Sequence, residues 1–135
     1  MTSDEARSFV AENHNAVLIT RRSDDGLQSS PITVGVDDER VVISSRETAY
    51  KVRNLRRDPR AVICVFTEAF YGSWIQIEGT AEIVSLPEAM DGLVDYYRRI
   101  RGEHPDWDEY RETMEKDRRV LVRVAIEKAG PDRSG

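Results

Sequence analysis

Residues 44–60 read Ser44-Ser45-Arg46-Glu47-Thr48-Ala49-Tyr50-Lys51-Val52-Arg53-Asn54-Leu55-Arg56-Arg57-Asp58-Pro59-Arg60, and the fold turns on how they are read. Just upstream, Val41-Val42-Ile43 is a short β-branched run, the mark of a strand. From Thr48 the pattern changes: Val52 and Leu55 stand three apart and share one face of a helix. Ser45 and Thr48 are the expected caps. Asp58-Pro59 ends the helix, because the residue before a proline is driven out of the α region. The first turn of such a helix presents unpaired backbone N–H groups, here beside two serines and the Lys51 ammonium, a combination that attracts an anion. A phosphate is the expected guest. A short basic helix with a merely solvated polar face has the same spacing, so the pattern alone leaves both readings open.

Outward from this stretch the chain alternates strands and helices. On the N-terminal side, Ser3 to Glu12 is an expected helix, with Thr2 and Glu5 at capping-box spacing and a narrow stripe of Ala6, Phe9 and Val10. Ala16 to Thr20 is a first strand and Leu27 to Val36 a second, joined by a turn at Asp24-Asp25-Gly26. Pro31 removes a ladder donor and so confines its strand to an edge, a bulge or a break. Gln28 and Ser30 alternate on one face, available either to a heterocycle or to solvent.

On the C-terminal side, Ala61 to Thr67 contains Val62-Ile63-Cys64-Val65-Phe66, apolar on both faces. Ser73 to Val84 is a long strand with Trp74, Gln76, Glu78 and Thr80 on one face and Ile75 and Ile77 on the other. Tyr71 and Trp74 read equally as core, interface or ring-stacking aromatics. Ser85 with Glu88 is expected to cap a helix in which Met90, Leu93, Val94, Tyr97 and Ile100 recur at helical intervals up to Gly102. Asp106 with Glu109 caps a further helix, and Val120 to Ile126 is the last expected strand.

The run Lys51 to Ala61, the strand Val62 to Phe66 and the segment Glu78-Gly79-Thr80-Ala81 together resemble the split β-barrel flavoproteins typified by pyridoxamine 5'-phosphate oxidase. The likeness continues through His104-Pro105-Asp106-Trp107-Asp108-Glu109-Tyr110-Arg111 and Asp117-Arg118-Arg119-Val120-Leu121, and so covers nearly the whole chain. The most similar subgroup is the short actinobacterial oxidoreductases that use coenzyme F-420. The resemblance implies a mainly β (α+β) fold, a six-stranded antiparallel split β-barrel with peripheral helices, as a single domain over residues 1–128; the ending Gly130-Pro131-Asp132-Arg133-Ser134-Gly135 reads as a flexible tail, bounded at 129–135.

It also implies an oxidoreductase that carries coenzyme F-420 (8-hydroxy-5-deazaflavin), or alternatively FMN, across a homodimer interface. The cofactor phosphate would lie near Lys51, with Asn54 one helical turn on and Ser44 and Ser45 at the strand end. Gln28 and Ser30 would offer hydrogen bonds to the ring system, and Trp74 would stand near it. Ala49-Tyr50 precede the lysine where FMN-using oxidases have Ser-Arg, and Ala49 also replaces an arginine of the short F-420-type members; Arg46 and Arg53 are the nearest cations. The C-terminal vitamin B6 substrate motifs of the oxidase are absent. The alternatives are an FMN-dependent oxidase or reductase and a non-catalytic flavin or haem carrier.

Composition narrows the classes further. The chain has 135 residues, a net charge of -5 and a pI near 5.1, which argues against general nucleic-acid binding. There is no long apolar run for a membrane span and no signal-peptide pattern, so a cytoplasmic protein is expected. Cys64 is the single cysteine, which rules out an intrachain disulfide and a cysteine metal cage, and it reads as a small core residue. His14 and His104 fall in no metal-binding spacing. No Ser-His-Asp or Cys-His set, P-loop or Gly-x-Gly-x-x-Gly occurs. A protein without its own catalytic groups fits a cofactor enzyme, in which the bound ring transfers hydride to a small-molecule acceptor.

Overall fold

A computed structural model of the chain describes residues 1–134, with side chains through Pro131. In chain order the elements are α1 (Ser3–Glu12), β1 (Asn15–Arg21), β2 (Leu27–Thr33), β3 (Gly35–Val36), β4 (Val41–Arg46), α2 (Tyr50–Arg57), β5 (Arg60–Phe66), β6 (Ser73–Val84), α3 (Met90–Arg101), α4 (Trp107–Lys116) and β7 (Arg119–Ser134). All strands join one antiparallel sheet in the order β2-β1-β5-β6-β7-β4-β3. The sheet curls until β2 comes close to β4, with no ladder joining the two. This is a split barrel, and Pro31 sits on its edge strand β2, where a missing N–H costs no ladder bond.

The sheet has seven strands rather than the expected six, because the segment read as one strand from Leu27 to Val36 breaks at Val34. There the Val34 amide donates to the His14 carbonyl at 2.9 Å, and the His14 ring Nδ1 meets the Val34 carbonyl at 2.8 Å. That pair is in register with Asn15 opposite Thr33 and is the last rung of the ladder, since the chain before His14 turns into α1 and leaves β2 no partner beyond it. The two residues beyond, Gly35 and Val36, pair instead with Val42 and Val41. At the other end β7 runs past Ile126 and pairs residues 128–134 with β6, where the sequence pattern suggested a tail.

The barrel interior explains the β-branched run Val41-Val42-Ile43. Val41 and Ile43 point inward with Leu18, Ile63, Ile77, Val122 and Val124, all at most 1% exposed. Each such side chain contributes about 1.5–3 kcal/mol through burial. Val42, between them, points outward and is still only 2% exposed. It packs with Leu121 under Leu93 and Val94 of α3 and Tyr110 and Met114 of α4. Both faces of β4 are therefore covered, and an unbroken apolar run is what such a strand requires. From α1, Ala6 and Val10 join the inner core, as do Val52 and Leu55 from α2.

Helix ends are right in two places and shifted in two. Thr2 and Glu5 form the capping box, and the Asp106 side chain accepts from the Glu109 amide at 3.1 Å. Helix α3 starts at Met90, after a turn closed by Ala89 N–H to the Ser85 carbonyl, and not at Ser85. Helix α2 has Ala49 as its N-cap with no capping side chain; neither Ser45 nor Thr48 plays that part. Ser45 cannot, because it is still inside β4, paired with Val120.

The strand read as apolar on both faces is covered on one. Ala61, Ile63 and Val65 are buried inward, whereas Val62, Cys64 and Phe66 are half-buried on the outside. Cys64 therefore lies on the outer sheet face rather than in the core, and burial pushes its thiol pKa up, away from a reactive thiolate. No helix among the described residues is long and apolar enough to cross a membrane.

Candidate functional site

The missing cap on α2 defines the site. The Ala49 carbonyl accepts from both Val52 N–H and Arg53 N–H at 3.1 Å, so the Tyr50 and Lys51 amides precede the first intrahelical bond. Lys51 is half-buried beside a cavity of about 430 Å3 that also takes in Ser44, Arg119 and Tyr96. Such a volume lies within the roughly 300–1,000 Å3 usual for small-molecule pockets. The walls come from four directions. Pro31 and Thr33 stand at the β2 edge, Ser44 on the outer side of β4, Tyr96 and Tyr97 on α3, and Arg119 at the start of β7. The cavity thus sits over the gap where β2 and β4 approach without bonding.

Its electrostatics are lopsided. Burial pushes the Lys51 ammonium below its usual pKa, and the nearby Arg119 guanidinium pushes it the same way. Lys51 forms no ion pair among the described residues. Arg119 has only a loose contact to Asp117 at 3.8 Å, and its Nε is buried without a hydrogen-bond partner. Two cations held together with so little compensation raise each other's energy, and a dianion between them would relieve it. Of the three tyrosines that line the cavity, Tyr96 and Tyr110 are neutral donors. Tyr96 donates to the Thr33 carbonyl at 2.7 Å with its pKa raised by burial, and Tyr110 donates to the Leu93 carbonyl at 2.8 Å with its pKa pushed up to about 12 by burial.

The residues singled out from sequence fall in four places. Ser44 and Lys51 meet at the cavity. Asn54 and Gln28 meet elsewhere: Asn54 is 6% exposed, and its Nδ2 donates to Thr20 Oγ1 at 3.0 Å and to Gln28 Oε1 at 3.1 Å. Its Oδ1 accepts from Arg57 at 3.2 Å. Ser30 shares that inner face, opposite Leu18. Ser45 is 2% exposed, and its hydroxyl donates to the Arg46 carbonyl at 3.2 Å. Trp74 stands apart on the outer face of β6, opposite Phe66. We expect Asn54→Leu to lower stability by about 1–3 kcal/mol, because Thr20 and Gln28 lose a buried partner. Chemical denaturation measures this directly.

Arg119, Tyr96 and Tyr97 were not read from sequence as site residues. The pair Arg118-Arg119 reads as the approach to a strand, Tyr97 falls on a helix stripe, and Tyr96 lies outside that stripe. Only the β4–β7 register, which sets Arg46 opposite Arg119 and Ser44 opposite Leu121, carries Arg119 to the mouth of α2. Among the described residues no group of three or more His, Cys, Asp or Glu is arranged to hold a metal ion.

The sequence pattern of the pyridoxamine 5'-phosphate oxidase family matches residues 2–130. A biliverdin reductase of Mycobacterium tuberculosis that depends on reduced F-420 is 26% identical over 127 residues, or 93% of this chain and 85% of that protein. The solved structure of a conserved hypothetical protein of Mycobacterium tuberculosis matches with a TM-score of 0.78 at 24% identity, over 100% of this chain and 92% of that chain. An F-420 reductase matches with a TM-score of 0.70 at 20% identity, over 92% and 94% of the two chains. At these identities the structural likeness establishes the fold.

Proposed function

The chain belongs to the pyridoxamine 5'-phosphate oxidase family, and on that premise we propose that it is an oxidoreductase that holds coenzyme F-420 and passes hydride from its reduced form to a small unsaturated organic acceptor. The observation that carries the proposal is the under-compensated Lys51–Arg119 pair facing a cavity next to the two open amides of α2. The relative that depends on reduced F-420 supports the choice of coenzyme.

The residues present fit a phosphate-bearing cofactor. Lys51 and Arg119 would grip the phosphate, the Tyr50 and Lys51 amides would add donors, and the Ser44 hydroxyl would bond the same group or the adjoining chain. When bound, the deazaflavin supplies the hydride. The protein's share is then binding and orientation: Tyr96 and Tyr97 wall the cavity, and the neutral hydroxyl of Tyr96 stays tied to β2. The test is fluorescence titration with F-420 and with FMN, followed by oxidation of reduced F-420 in the presence of enone and quinone acceptors. Tighter binding of F-420 than of FMN, with turnover on at least one acceptor, is expected. A protein that purifies yellow with FMN and ignores F-420 overturns the proposal.

The working form in this reading is a homodimer. Val17, Ile19, Val62, Cys64 and Phe66 make an apolar band on the outer faces of β1 and β5, half-buried in the single chain. A second copy would complete its burial, and large half-covered apolar faces mark association surfaces. Val62→Arg sets a charge in the middle of this band, and light scattering after gel filtration should then report a monomer where the parent runs as a dimer.

A further inference from the structure

A second cavity, of about 470 Å3, opens on the other side of Arg119. Its floor is apolar: Leu86 and Pro87 from the turn before α3, Met90 at the start of α3, and Val120 of β7. Its rim is charged, with Arg111, Arg118 and Arg119 against Glu47 and Glu115, an excess of one positive charge.

The two carboxylates do not quench the three guanidinium groups evenly. Glu47 is engaged twice, by Arg118 at 3.0 Å and by Arg56, from outside the cavity, at 3.7 Å. Arg111 has only a contact of 3.9 Å to the exposed Asp108. Arg119 has its 3.8 Å contact to Asp117 and the buried, unpartnered Nε. Glu115 enters no ion pair among the described residues, so the loosely held Arg111 and Arg119 exceed the one free carboxylate of the rim by a single positive charge, next to an apolar floor.

We propose that this cavity binds an amphipathic monocarboxylate, with its hydrocarbon part on Leu86, Pro87 and Met90 and its carboxylate between Arg111 and Arg119. An apolar floor of this kind rewards buried hydrocarbon in proportion to area. A guanidinium fork matches a carboxylate with two parallel hydrogen bonds. One negative charge cancels the excess, whereas a polyanion would meet Glu47 and Glu115 as like charges. A fully polar acid leaves the floor wet. The inference shares Arg119 with the coenzyme reading, but neither Lys51 nor Ser44 lines this cavity and Arg111 lines only this one, so Arg111→Gln tests it separately.

The test is calorimetric titration of the full chain, free of cofactor, with octanoate, acetate and 1-octanol. Octanoate is expected to bind one per chain, at least tenfold tighter than either control, since acetate lacks the tail and 1-octanol the charge. Met90→Trp fills the floor and should weaken octanoate at least tenfold, with the far-UV spectrum unchanged. Arg111→Gln alters an exposed position that the core does not need, and should weaken octanoate while leaving 1-octanol as it was. Octanoate binding no tighter than both controls, or equal octanoate affinity in the parent and Arg111→Gln, overturns the proposal even if Met90→Trp fails to fold.

Discussion

Gly79→Ala is expected to lower the melting temperature by roughly 10 °C, a loss of about 3 kcal/mol, at the upper end of what overpacking costs in a domain of this size. Gly79 is buried in β6 between Ala61 of β5 and Ile126 of β7. A Cβ there would lie 1.9 Å from the Ala125 carbonyl oxygen and 3.0 Å from Val124 Cγ1. The first clash is with backbone, so no rotamer change relieves it. The close approach accompanies the register shift between Glu78 and Gly79, where Glu127 is an extra residue of β7 that bulges and bends that strand against β6. Relief would require the two central strands to part, and thermal denaturation followed by circular dichroism reads the effect. A Gly79→Ala protein as stable as the parent would mean that the bulge is not tightly packed.

Lys51→Ala is expected to weaken F-420 by about 100-fold, the equivalent of losing one charge-assisted contact worth about 1.5–3 kcal/mol. Fluorescence titration measures it, and unchanged affinity would remove the phosphate from this end of α2. Arg119→Leu should weaken binding to a similar degree, but with a different signature. It removes a cation that pushes the Lys51 pKa down, so the free protein should be no less stable, or more so, while binding suffers.

The pH dependence follows from the same shift. The Lys51 pKa is lowered by folding, so between that value and the unfolded 10.5 the native state has released a proton that the unfolded chain still holds. Stability of the free protein contributed by this group therefore rises with pH across that window. Affinity for the anion falls across the same window, as Lys51 loses its charge. A bound phosphate would draw the ammonium pKa back up, so the two curves should separate as ligand is added.

Several features were legible from residues because they rest on local rules. The period-2 alternation of Ile75 and Ile77 placed one face of β6 in the core, where both are at most 1% exposed. Thr2 with Glu5 and Asp106 with Glu109 predicted their helix starts, since a capping side chain reaches only three residues along. The Asp58-Pro59 stop is likewise local, and the Asp58 amide closes on the Asn54 carbonyl at 2.8 Å. Where local signals competed, sequence reading erred. Ser45 had the chemistry of a cap but was held in β4, and Ser85 had a capping spacing that the turn to Ala89 overrode. Asn54 lay one helical turn from Lys51, yet its amide is tied to Thr20 and Gln28 across the barrel.

By itself the sequence determined most of the strand and helix segments and where Lys51 stands on its helix, because those depend on neighbours a few residues away. The tertiary structure decided what faces Lys51. Arg119 is 68 positions distant in sequence (119 minus 51), and its approach depends on β4 pairing with β7 in one register; a slip by a single residue would turn its side chain to the other face. The same register parts the two cavities with one guanidinium. Long-range pairing is settled by the packing of the whole barrel, and no local spacing records it.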